Sequence, residues 1–119
     1  MLDVIKSIDN LAWTIEHYFQ HIKNQHDFIR AVAVQFELSY TDFRVIQLAL
    51  QLDPTEMDLL KRFSAAYENE VYPFESEFAF YGLDAFNEKY GEQIDQYEQG
   101  VQKLLVILDE IKSVNSVAE

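Results

Sequence analysis

The feature that most constrains this chain is a stripe of apolar residues near its C-terminus that keeps alternating spacings of four and three. Tyr90, Ile94, Tyr97, Val101, Leu104, Leu108 and Ile111 follow one another without a slip. That spacing gathers them on one side of an α-helix and scatters them over both faces of a strand. The stripe passes Gly100 in phase. Glycine inside a helix costs about 1 kcal/mol relative to alanine. Its presence beside the stripe predicts one long helix and the close approach of another backbone, the alternative being a break at a glycine cap. The N-terminal region repeats the pattern with Val4, Ile8, Leu11, Ile15, Tyr18 and Ile22. Asn10, Thr14, His17, His21 and Asn24 form the opposite, polar face, and Trp13 lies off the stripe in want of cover.

Between these helices the punctuation is sparse. A shorter helix is expected after Asp27, burying Phe28, Ile29, Val32, Ala33 and Phe36. Ser39 then offers an N-cap, with Asp42 placed to close a capping box. The segment that follows holds Phe43, Val45, Ile46, Leu48, Ala49, Leu50 and Leu52, with only Arg44, Gln47 and Gln51 polar. A helix apolar nearly all round is a buried one, so it is expected at the centre of the fold. Asp53-Pro54-Thr55-Glu56 reads as a helix start, the aspartate capping, the proline filling the first turn and Glu56 completing a capping box. The next helix, through Met57, Leu60, Phe63 and Tyr67, is expected to end before Pro73. Residues 72–82 suit a helical turn and also alternate like a strand. A lone strand leaves its backbone unsatisfied, so helix or structured loop is favoured.

These features together predict an all-α fold, a single domain over 1–119. The expected form is a bundle of five to six helices with long N- and C-terminal helices and a buried central helix. The 119 residues suffice for one core without staples. Cysteine is absent, which removes disulfides and thiolate chemistry together. Acidic residues outnumber basic ones 21 to 9, a net charge of −12. That balance argues against direct nucleic-acid binding, which draws its affinity from Lys and Arg on phosphates. With neither a long apolar run nor a signal-like N-terminus, the expected setting is the cytoplasm of a bacterium, away from membranes. The acidity is uneven: Glu68 to Glu98 contains nine carboxylates and the single cation Lys89.

The opening stripe, the Phe28–Phe36 segment, the Leu38-Ser39 start and the Tyr97-Glu98-Gln99-Gly100 tetrapeptide before an aliphatic final helix resemble the YhaI-like family of small helical proteins of Bacillota. The resemblance implies a helical bundle with no assigned activity and carries over no catalytic or cofactor residue. Residues 53–90 align poorly with that family. Leu38 to Ile46 is also similar to the helix before the reading head of MarR-type winged-helix repressors, although the next helix offers only Lys61 and Arg62 and no arginine-bearing hairpin follows.

Chemical motifs are few. His17 and His21, one turn apart, have chelating spacing, with His26 or Glu16 as conceivable companions. On a polar face they read as a solvated pair, and no metal is expected. Paired Glu-x-x-His segments, which a di-iron bundle requires, are missing. Glu68, Glu70, Glu75 and Glu77 lack the spacing of a calcium loop. Nucleophile elbows and phosphate-binding loops are missing too, so no catalytic residue and no cofactor is expected. Gln47 and Gln51 on the greasy central helix are the only hint of a ligand in the core.

What remains is an aromatic and acidic stretch. Tyr72, Phe74, Glu75, Glu77, Phe78, Phe80, Tyr81, Asp84 and Glu88 form the candidate partner surface, since aromatics rimmed by charge typify interfaces. The expected function is a non-enzymatic protein-interaction or regulatory module whose protein partner the sequence does not name. Self-association through the stripes of the two terminal helices is one route. An acidic decoy for a nucleic-acid-binding protein is the alternative, and a MarR-like DNA reader a lesser one.

Overall fold

A computed structural model describes residues 4–26 and 30–117. Among them every regular element is helical and no strand occurs. Helix α1 spans Ile5–Lys23, α2 Arg30–Gln51, α3 Met57–Glu70, α4 Tyr72–Tyr90 and α5 Ile94–Val117. Short 3-10 turns at Pro54–Glu56 and Gly91–Gln93 lead into α3 and α5. The expectation of five to six distinct helices does not hold. Only Val71 separates α3 from α4, and a single helical turn joins α4 to α5. The described residues therefore form three bodies, α1, α2 and a long bent helical run from Pro54 onward.

Both terminal stripes are buried within the one chain. Ile8, Leu11, Ile15, Tyr18 and Ile22 of α1 are withdrawn from water, as are Tyr97, Val101, Leu104, Leu108 and Ile111 of α5. The two helices pack against each other in antiparallel fashion. Lys112 Nζ reaches Asp9 Oδ1 at 2.8 Å at one end, and Phe19 meets Tyr97 edge to face, with centroids 5.0 Å apart, at the other. The partner each stripe finds here is the other stripe of the same chain.

Helix α2 departs from expectation in two ways. The two helices expected on either side of Ser39 are one, and Ser39 sits buried in its interior instead of capping an end. No Gly or Pro interrupts residues 30–51, so the serine's capping preference has nothing to reinforce it and packing decides. Nor is the helix buried all round. Phe36, Phe43, Ile46, Ala49 and Leu50 face inward, whereas Val34, Leu38, Val45, Leu48 and Leu52 are exposed. Asp27, Phe28 and Ile29 lie outside the described residues.

Asp53 caps as expected: its Oδ1 accepts from the Thr55 amide at 3.1 Å and the Thr55 hydroxyl at 2.7 Å. The reciprocal half of the box is not made, since the Asp53 amide donates to the Leu50 carbonyl instead. Residues 72–82 are helical rather than stranded. Pro73 occupies the first turn of α4, where its missing N–H goes unneeded. Gly82, at φ 90° and ψ −179°, breaks α4 in the middle with a backbone conformation that only glycine adopts readily. At the far end of α1, Gln25 takes φ 60° in a Schellman cap, in which the His26 amide donates to His21 O and the Gln25 amide to Ile22 O. The Gln25 side chain exchanges two hydrogen bonds with the amide of Asn87, tying this cap to α4.

Helix α5 runs through Gly100 without a break, and another backbone does approach there. A Cβ at this position meets the carbonyl oxygen of Glu70 at 2.5 Å and the Cβ of Glu70 at 2.9 Å. The obstruction is the end of α3, which has little room to yield. Gly100→Ala is therefore expected to lower stability by about 2 kcal/mol and Tm by about 5–10 °C, although alanine is the better helix former. Urea and thermal unfolding measure this, and a variant as stable as the parent refutes the close packing of α3 on α5.

Candidate functional site

The structure divides the aromatic and acidic stretch instead of presenting it as one surface. Phe74, Glu75 and Phe78 are buried in the core, and Tyr72 and Glu77 are half-buried. Only Phe80 (61% exposed), Tyr81 (70% exposed), Asp84 and Glu88 stand out in solvent, on either side of the Gly82 break. The reason is helical phase. Residues 74 and 78 lie one turn apart on the inner side of α4, so the segment's aromatics go mainly to filling the bundle. Phe78 packs edge to face on Tyr18, and Phe74 stacks on Tyr97 at 5.0 Å between centroids.

Glu75, expected on the surface, is fully buried. Its Oε2 accepts a hydrogen bond from the Tyr97 hydroxyl at 2.8 Å, and its backbone carbonyl accepts one from the Tyr18 hydroxyl at 3.1 Å. One residue of α4 thus links α1 and α5. Its Oε1 has no partner among the described residues. Burial pushes the carboxyl up to about 8, against the opposing pull of the Tyr97 hydrogen bond. Burial next to this acid likewise raises the hydroxyls of Tyr18, Tyr67 and Tyr97 above the usual tyrosine range. The buried hydroxyls of Ser39 and Tyr67 neighbour one another without completing a hydrogen bond. The sequence signal for Glu75 was present but easily missed: it lies four residues after Val71 and four before Ala79, both buried, on the side that also carries Phe78.

Three of the remaining eight carboxylates between Glu68 and Glu98 pair with a cation among the described residues, Glu98 with Lys23 at 3.9 Å. Glu70 pairs with Lys103 at 3.0 Å and Glu77 with Lys89 at 3.8 Å. Arg62, half of the basic pair weighed for DNA reading, is held by Asp58 and by both carboxylate oxygens of Glu110. Gln47 donates to Ser64 Oγ at 3.0 Å and accepts from Arg44, so its burial is explained by its neighbours, while Gln51 is exposed. His17, His21 and His26 form a hydrogen-bonded string, with Nε2 to Nε2 at 3.0 Å and Nδ1 to Nδ1 at 2.9 Å. His21 titrates below the ordinary histidine range, mainly through burial and then through its two histidine neighbours. No group of three or more ligating side chains suited to a metal ion occurs among the described residues.

The most prominent surface feature is one the sequence reading overlooked. Val34, Leu38, Thr41, Val45, Leu48 and Leu52 repeat the four-three spacing of the terminal stripes, on the side of α2 opposite its buried face. The apolar members are between 40% and 71% exposed. The Thr41 hydroxyl donates to the Glu37 carbonyl at 3.0 Å, leaving its methyl to the stripe. Trp13 of α1 lies alongside, lining a shallow depression with Asn10, Thr14, Leu38 and Asp42. One face of its indole stacks on His17 with centroids 4.7 Å apart, and it is still 59% exposed. The heptad spacing was legible in the sequence. It went unread because a helix apolar on both sides looks like a helix buried on both sides.

No protein-family model, no curated protein and no solved structure matches this chain.

The buried acid makes a pH-dependent prediction. Glu75 keeps its proton in the folded state up to about pH 8 and loses it near pH 4.5 when unfolded. Between those values the folded state binds more protons, so stability falls as pH rises. The loss is on the order of a few kcal/mol. Glu75→Gln, which keeps the shape without the ionisation, is expected to flatten this decline and to exceed the parent in stability above about pH 8. Superimposable pH–stability curves for the two proteins refute the assignment.

Proposed function

We propose that the chain is a non-enzymatic, cytoplasmic protein-interaction module that docks through the outer face of α2, flanked by Trp13. The observation that carries this reading is the exposed stripe Val34, Leu38, Val45, Leu48 and Leu52. Apolar side chains aligned over several turns, with an indole at the edge, concentrate binding energy where water is most readily excluded. Among the described residues no helix is long and apolar enough to cross a membrane, so the stripe does not belong to a span.

The acidic decoy reading has less to draw on. Glu75 is in the core, and Glu70, Glu77, Glu98 and Glu110 face cations of their own chain. The pair Phe80 and Tyr81 contributes a second, smaller apolar patch, with Phe80 anchored edge to face on Phe36 at 5.6 Å.

A photo-crosslinking side chain placed at Val45 in living cells tests the reading, with Val106, a still more exposed valine on α5, as control. Adducts are expected at position 45 and not at 106, and Leu48→Glu is expected to abolish them. That substitution falls on an exposed side chain, so it should shift stability by no more than about 0.5 kcal/mol. Equal labelling at both sites, or none at 45, refutes the docking face.

A further inference from the structure

We infer that the occupant of this face is a second copy of the same chain, with α2 packing antiparallel on α2 about a two-fold axis. The inference rests on the reading of α2 as a docking face and names what docks there.

Three observations favour self-association. The first is register. Run antiparallel, the stripe is complementary to itself: Val34 meets Leu52 of the second copy, Leu38 meets Leu48, and Thr41 meets Val45 beside the axis. Every layer pairs one heptad position with the other, as antiparallel coiled coils require, and no apolar member is left over. The small Thr41 sits where the helices come closest, and opposed helix dipoles favour the orientation.

The second is area. The exposed portions of Trp13, Val34, Leu38, Val45, Leu48 and Leu52 total roughly 600 Å² per copy, against the roughly 800 Å² per partner of a standard stable interface. The polar rim supplied by Asn10, Asp42 and Gln51 makes up the difference.

The third is charge. Helices α1 and α2 carry equal numbers of acidic and basic residues, Asp9 and Glu16 with Lys6 and Lys23, then Glu37 and Asp42 with Arg30 and Arg44. The excess acid of a chain at net −12 lies elsewhere. This is the face on which two such chains meet with least repulsion, and it offers a basic partner nothing. Asp42 and Arg44 flank the axis and each meets its own symmetry mate, so added salt should tighten the association by screening. A partner attracted to the carboxylates has the opposite salt dependence.

Sedimentation equilibrium on the full chain tests the inference. A dimer with Kd in the micromolar range is expected, tighter in about 0.5 M salt than in 0.05 M salt. Leu48→Glu and Val45→Glu should each raise Kd by more than about 30-fold with unchanged helical circular dichroism. The absence of native cysteine gives a second readout. Mixing chains bearing Leu38→Cys with chains bearing Leu48→Cys should yield the mixed disulfide in excess over either symmetric one. A parent monomeric at about 100 μM overturns the inference, as do a dimer indifferent to both glutamates and a preference for symmetric disulfides. A monomeric parent that still gives a Val45 adduct to a different protein overturns self-association alone and leaves the docking face standing. The loss of both signals removes the two together.

Discussion

The antiparallel closure of α1 on α5 is the constraint from which the rest of this structure follows. Each helix carries an unbroken apolar stripe, and burying one against the other brings the start of α1 beside the later turns of α5. The intervening residues must then cover what the pair leaves open. They do so with α2 against α1 and with α3 laid over α5. The second contact is tight because Gly100 has no side chain to hold the carbonyl of Glu70 away. A glycine that is poor for its own helix is here the condition for two helices to touch.

The interior that results is filled with rings. Phe43 stacks on Tyr67 at 4.2 Å, Phe74 on Tyr97 at 5.0 Å, and Tyr18 meets Phe78 edge to face. Tyrosines bring hydroxyls into this space, and hydroxyls need partners. Glu75 answers two of them, one through its side chain and one through its main chain. The result is a polar link among α1, α4 and α5 that specifies how the three sit together, at the expense of a carboxyl kept away from water.

Much of this was legible beforehand, and the parts that were not share a cause. The two terminal stripes, the continuity of α5 at Gly100, the close backbone there and the Asp53 cap all follow from local pattern. What local pattern does not encode is which of two apolar faces the fold will choose. Helix α2 has two, and nothing within residues 30–51 says that the side bearing Phe43 and Ile46 will be covered while the side bearing Val45 and Leu48 will not. The same ambiguity put Glu75 on a surface. It falls in an acid-rich stretch, but one turn away on either side stand the buried Val71 and Ala79, and phase decided. Ser39 makes the complementary point. A capping residue marks a helix end only where something else stops the helix, and nothing does.

The uneven placement of charge gives the molecule an electrical polarity. Acidic side chains outnumber basic ones along α4 and α5, whereas α1 and α2 balance. The chain therefore carries a permanent dipole across its short axes as well as a net charge, and a field acts on its orientation as well as on its position. Against any cationic surface, such as an anion-exchange resin or a basic polymer, it settles with the α4–α5 side down. Trp13 and the outer side of α2 then point away from the support.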